Sequence, residues 1–370
     1  MKKWLILIIL FLACASLLGG IYWRLLSSRP SVVELPDTKP TNLLTLDEWM
    51  QANAQKAIEA VAEKLKKQAE EEFTIFAVGD IMLSRRVGET MLKKGYDYPF
   101  AKMKDLIGGA DLAFGNLESP LKKGNPVPTG SFVFRADPEN AESLNRAGFD
   151  IVSLANNHML NQGADGLMKT FGYLSTQNIK YCGAAASADN LSATMVKVKA
   201  AQVGFLCYSY GPDEYAAGKD TPGIAIAGKE KIEKEVLELK GKADIIILSL
   251  HDGIEYQHTS SKHQQELARA AIDAGADIVI GHHPHVVQEV EKYKNGYIFY
   301  SLGNFVFDQM WSLDTRQGLA VKLTLSKKDK VKKVEYFPVM IDDYSQPRPA
   351  EGAEREEIMR FLETGVKKVN

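Results

Sequence analysis

Apolar and polar positions alternate with three different periods along this chain. From Trp4 to Trp23 the residues are uncharged and mostly apolar, behind Lys2 and Lys3 and ahead of Arg24 and Arg29. A run of about 20 such residues is long enough to cross a bilayer as a helix. It is read as a signal anchor over 1–26. The rival is a cleaved signal peptide ending at Ala13-Cys14-Ala15, a small-x-small pattern. Apolar residues continuing through Leu17, Leu18, Ile21 and Tyr22 favour the anchor. The expected location is therefore the cell membrane, single-pass, with the rest of the chain on the extracytoplasmic side. Residues 27–44 hold Pro30, Pro36 and Pro40 among Ser and Thr and read as a linker. Thr45-Leu-Asp-Glu48 matches a capping box. Met50, Ala54, Ala57, Ile58, Val61 and Leu65 follow at helical spacing, so 45–72 reads as a charged helix.

From Phe73 the period shortens. Apolar strands are expected at 73–78, 110–114, 150–154, 179–182, 202–208, 244–250, 277–280, 296–301, 318–325 and 332–339. Helices are expected at 85–94, 138–147, 164–176, 229–240, 260–275 and 352–367. Strands alternating with helices predict an α/β layered fold. The strands after Gly296 follow one another directly, which predicts an antiparallel portion or a second packed sheet. The main domain is placed at 73–343, with a helical tail at 344–370.

Charge changes this picture little. Forty-five Lys and Arg against 47 Asp and Glu give a net charge of -2. With no basic field and no nucleic-acid-binding motif, nucleic acid is not an expected partner. Of three cysteines, Cys182 and Cys207 fall in strand-like segments. They read as small buried apolar side chains, with a disulfide as the alternative in an oxidising compartment.

The informative polar residues fall where strands end. The first strand runs into Gly79-Asp80, the second into Gly115-Asn116-Leu117-Glu118, the third into Ala155-Asn156-Asn157-His158. Later strands run into His251-Asp252-Gly253 and Gly281-His282-His283-Pro284-His285. Three of the seven histidines thus stand within four residues. The C-terminal strand ends of an open α/β sheet share one edge. Any one cluster has a helix cap as its alternative reading; five together predict a site. Carboxylate, carboxamide and imidazole donors without thiolate suit Mn, Fe or Zn as divalent ions. Two such ions would clamp a phosphoryl group and activate water. His158, beside the ligand-like Asn157, is placed to protonate a leaving group.

Those motifs, with Ser119-Pro120, Ile254-Glu255 and Ser301-Leu302-Gly303-Asn304-Phe305, resemble in order and spacing the bacterial capsule-synthesis CapA family, accessory proteins of poly-γ-glutamate synthesis. That family resembles the calcineurin-like metallophosphoesterases. The resemblance implies a metallophosphoesterase-like two-sheet sandwich flanked by helices, in four layers. It also implies one or two divalent ions held by Asp80, Asn116, Glu118, Asn157, His251, His283 and His285, with His158 as acid. Two departures stand out. Asp80 is followed by Ile81-Met82, where the phosphoesterases carry Asp-x-His. Asn116 and Glu118 replace a plain Gly-Asp. His282 reads as a supporting or exposed residue, and His258 and His263 as solvated.

Arg85 and Arg86 are candidates for holding an anionic substrate, Glu255 for orienting a ligand, and Asn304 for supporting the site. Asp308 would cap its edge. Arg135 reads as a surface salt bridge before a substrate contact. Three functions remain open. The first is a membrane-anchored protein of capsule or poly-γ-glutamate assembly, export or attachment, partnered by the anionic polymer and membrane synthase subunits. The second is a metal-dependent phosphoester hydrolase. The third is a non-catalytic polymer-binding scaffold.

Overall fold

The computed structural model describes residues 53–63 and 72–365. The expected anchor (1–26), linker (27–44) and most of the charged helix (45–72) lie outside the described residues. Within that last stretch, 53–63 is helical and exposed. Among the described residues no helix is long and apolar enough to cross a membrane.

From residue 72 onward two large sheets form, beside a small antiparallel pair of β5 (Ala184–Ala185) and β8 (Gly223–Ile224). In the first, β1 (Glu72–Ile81), β2 (Leu112–Leu117), β3 (Ile151–Ser153) and β4 (Lys180–Cys182) run parallel. On the other side of β1, β14 (Gln317–Ser326), β15 (Lys330–Asp342) and β16 (Gln346–Pro349) continue antiparallel. The order is β16-β15-β14-β1-β2-β3-β4, and β13 (Asn304–Val306) pairs with the end of β1. The second sheet has the order β11-β12-β10-β9-β7-β6. Here β7 (Ala201–Ser209), β9 (Ile245–His251), β10 (Ile278–His282) and β12 (Gly296–Phe299) are parallel. The edges β6 (Thr194–Val198) and β11 (Val290–Tyr293) are antiparallel.

Strand periodicity divides the side chains among three cores. Successive residues of a strand point to opposite faces, so Ile75 and Ala77 enter the layer between the sheets, where they meet Phe205, Ile247 and Ile280. Phe76 and Val78 point outward, under helices α1 (Arg85–Lys94), α2 (Glu139–Ala147) and α3 (Gly163–Thr176). On the far side Leu206, Ile246 and Leu248 pack under α4 (Lys229–Leu239) and α5 (Lys262–Ala274). Helix, sheet, sheet and helix are thus the four layers. Ser261 starts α5 with a complete capping box to Gln264, as its sequence permits.

Three features depart from the sequence reading. The second strand starts two residues later than expected and runs on to Leu117, because Asn116 and Leu117 pair with Asp80 and Ile81 of β1. The segment expected as a tail begins with strand β16, and its helix α6 (Gly352–Gly365) buries Ile358 and Leu362 against the inter-sheet core. Cys182 on β4 and Cys207 on β7 form a disulfide, Cα atoms 5.6 Å apart, that joins the two sheets.

Candidate metal centre

Both sheets deliver their polar strand ends to one place. Asp80 lies between Asn116 of β2 and Asn304 of β13 in the first sheet's register. In the second, His251 of β9 lies between Ser209 and His282. Glycine permits the close approach. A Cβ on Gly79 would sit 1.9 Å from the Gly303 carbonyl oxygen, and one on Gly281 1.9 Å from that of Tyr300. The His283-Pro284-His285 bend is made by left-handed backbone at both histidines, φ 98° and 58°. Such conformations cost non-glycine residues about 1–3 kcal/mol and gather at functional sites.

A chain of amides organises the inner side. Asn156 Nδ2 donates to the Leu117 carbonyl (2.9 Å) and to Asn116 Oδ1 (3.1 Å). Asn116 Nδ2 then faces Asp80 Oδ1 at 2.9 Å and His251 Nδ1 at 3.2 Å. His251 Nδ1 is therefore the acceptor, and Nε2 faces Asn157 Oδ1 at 3.0 Å. Expected as a ligand, Asn116 has both amide atoms engaged by protein groups. In this arrangement it organises Asp80 and His251.

On the outer side, Asn304 Nδ2 donates to the Thr315 carbonyl, which turns its Oδ1 to His285 Nδ1 at 3.0 Å. His285 Nε2 is left pointing inward, the arrangement by which a supporting residue fixes a metal-binding imidazole. His158 is held the same way. Asn161 Oδ1 must accept from the Phe134 backbone N–H (2.7 Å), so His158 Nδ1, 2.9 Å away, is a donor to it. The His158 ring stacks on Phe134.

Glu118 sits at the meeting point. It is fully buried, and among the described residues neither carboxylate oxygen has a hydrogen-bond partner. Its Oε1 faces His158 Nε2 at 3.8 Å, His251 Nε2 at 4.0 Å and His285 Nε2 at 4.0 Å. A buried carboxylate without donors is costly. A cation among these atoms removes that cost, so the donor set fits a divalent ion. One oxygen or nitrogen from each of Asp80, Glu118 and His251 lies within 4.8 Å of the others, and the same holds for Glu255, His283 and His285.

Protonation follows from burial and mutual charge. Burial pushes the Glu118 carboxyl well above the usual range, and the charge of Asp80 adds to this. Burial would raise Asp80 too, but the adjoining imidazoles of His282 and His285 hold it well below. Burial, then the neighbouring His283, keeps His251 far below the usual imidazole value. Burial, then His285, takes His283 down to about 3, and burial takes His158 down to about 4. His285 goes the other way: Glu118 and Asp80 outweigh its burial and raise it to about 9. A divalent ion takes the place of such a proton.

The remaining expected residues separate clearly. Arg85 is nearly buried, paired with Asp308, donating to the Ser131 carbonyl and lying over Phe134 at 4.8 Å. Arg86 points elsewhere, its guanidinium 4.0 Å from the Tyr344 ring centre. It does not share the place of Arg85, because α1 turns it to solvent. Arg135 forms its salt bridge to Asp137 under cover, not at the surface. His282 is fully buried, 3.2 Å from Asp80. His263 is exposed, and His258 stacks on Phe361. Sequence reasoning missed Asn161 and the rim aromatics Tyr210, Tyr256 and Trp311. Tyr210 directly follows β7, so the strand-end rule reaches it; Asn161 carries no such signal.

Comparison with known proteins adds the following. Residues 74–309 match the family described as bacterial capsule synthesis protein PGA_cap. A capsule biosynthesis protein CapA of Bacillus anthracis is 36% identical over 69% of this chain, which spans 64% of that relative's length. The PGA biosynthesis protein CapA of Bacillus subtilis is 34% identical over 77% of this chain and 76% of its own. Among solved structures, the NAD nucleotidase of Haemophilus influenzae superposes with a TM-score of 0.48 at 12% identity, covering 80% of this chain and 57% of that one.

Proposed function

The chain belongs to the bacterial capsule synthesis protein family, and from that premise we propose that it acts in capsule polymer assembly, export or attachment through a metallophosphoesterase-like hydrolytic centre. The observation carrying the chemistry is the donorless, buried Glu118 carboxylate facing three imidazole Nε2 atoms. Asp80, Glu118, His251, His283 and His285 would hold one or two divalent ions, Mn, Fe or Zn. Such ions supply charge to a phosphoryl oxygen and lower the pKa of water.

The protein's own groups do the rest. Asn116, Asn156 and Asn304 fix the ligand rings. His158 is neutral and presents Nε2 to the centre. It therefore takes a proton at Nε2 before it can deliver one to a leaving oxygen, and Asn161 steadies its Nδ1 throughout. The proposed substrate is a phosphoester met during assembly of an anionic polymer such as poly-γ-glutamate, with membrane synthase subunits as partners. Membrane anchoring through 1–26, with the sandwich outside, is part of the proposal. The Cys182–Cys207 disulfide supports it, since disulfides persist in oxidising compartments.

The test is turnover of p-nitrophenyl phosphate by the full chain with and without Mn²⁺. Metal-dependent turnover is expected, with His158→Ala lowering kcat by about 10²–10⁴-fold at unchanged metal content. Metal bound without turnover would return the domain to a polymer-binding scaffold.

A further inference from the structure

Glu255 is exposed, yet its carboxylate reaches the two histidines of the tight bend. One Glu255 oxygen and one ring nitrogen from each of His283 and His285 lie within 4.8 Å of one another. Three donors bonded to one ion at about 2.0–2.2 Å cannot all stand more than about 3.8 Å apart. Shifts of up to about 1 Å therefore bring all three into one coordination shell. This group shares no residue with the Asp80, Glu118 and His251 group but adjoins it, His285 Nε2 standing 4.0 Å from Glu118 Oε1.

Two further observations point to a ligand here. His283 is 5% exposed, and its Nδ1 has no hydrogen-bond partner among the described residues. A buried ring nitrogen left bare is costly, and this one belongs to the residue that shares the bend with His285. The loop bearing Glu255 is fixed by backbone. The Tyr256 N–H donates to the Pro284 carbonyl at 2.8 Å, and left-handed Tyr256 (φ 64°) makes the turn. The bend and the Glu255 loop are thus locked together.

We propose that Glu255 is the third protein ligand of an outer divalent-ion site completed by His283 and His285, beside an inner site of Asp80, Glu118 and His251. The inference rests on the metal-centre reading above. Three protein ligands leave coordination positions open, as in catalytic rather than structural sites. Tyr210, 4.7 Å from the His283 ring, and Tyr256, 6.2 Å from that of His285, stand beside the two histidines. The exposed carboxylate makes the outer ion the more exchangeable of the two.

The experiment uses the full chain, stripped with chelator, reloaded with Mn²⁺ and dialysed. Manganese is counted by elemental analysis, and its electron paramagnetic resonance spectrum is recorded. The wild type is expected to hold about two equivalents with a spin-coupled spectrum. Glu255→Gln, an exposed change whose circular dichroism spectrum should match the wild type, is expected to hold about one with an isolated six-line signal. His283→Asn should lose the same ion. Two coupled ions retained in Glu255→Gln would overturn the proposal while leaving the metal centre standing. A wild type holding one ion that Glu255→Gln also holds would overturn it as well. A wild type that takes up no manganese would overturn both.

Discussion

At the scale of residues, the site depends on which atoms are already engaged. Asn116, Asn156, Asn161 and Asn304 give their amides to neighbours and so decide which ring nitrogens face inward. Asn304 makes this measurable. Asn304→Leu keeps the approximate volume but removes the acceptor for His285 Nδ1. Loss of such a supporting residue typically lowers metal affinity about 10–100-fold. A competition titration against a chelator is expected to show that drop with the circular dichroism spectrum unchanged. An unchanged affinity would mean that His285 needs no orientation, or binds no ion. Much of this was legible in the sequence as residue types at strand ends: Asp80, Glu118, His251 and His283 with His285 all converge. The amide orientations were not, because they depend on backbone partners such as Leu117 and Thr315 that no motif marks. Nor did the sequence separate Arg85 from Arg86; only the helix register does.

At the scale of elements, the strands had to approach closely at glycine. Gly281 is the clearest case, since a Cβ there meets the backbone of Phe299 and Tyr300 at the end of β12 and cannot be relieved by a rotamer change. Gly281→Ala is expected to destabilise the protein by about 3 kcal/mol, as severe overpacking does, and to weaken metal uptake by displacing the His bend. Gly172 in α3 is the contrast. A Cβ there meets nothing within 4 Å, so Gly172→Ala should stabilise by about 0.5–1 kcal/mol. Denaturant titration of both variants checks the pair, and equal effects would contradict the packing account. Helices α1 to α5 and the long strands match their apolar periods closely. The short strands β11 and β13 were not foreseen. Three or four residues are too few to establish a period, and β13 exists because β1 offers it a free edge at Asp80 and Ile81.

At the scale of the whole molecule, two sheets are needed to make one centre. The first supplies Asp80, Asn116 and Glu118, and the second supplies His251 and the His283–His285 bend. The inter-sheet core and the Cys182–Cys207 disulfide hold the two halves together. Closing a loop with a sequence separation of 25 contributes roughly 3–4 kcal/mol in the chain-entropy account. The alternation of strands and helices indicated the layered fold. It did not reveal the disulfide, because two cysteines in separate strands become neighbours only once the sheets pack.

The central claim is that the buried carboxylate and imidazoles hold divalent metal. Its most direct test is the metal content of the purified full chain by elemental analysis, beside Glu118→Gln. The account predicts one or two equivalents of Mn, Fe or Zn in the wild type and their loss or sharp reduction in the variant. Metal absent from the wild type even after reconstitution, or retained in full by Glu118→Gln, would contradict it.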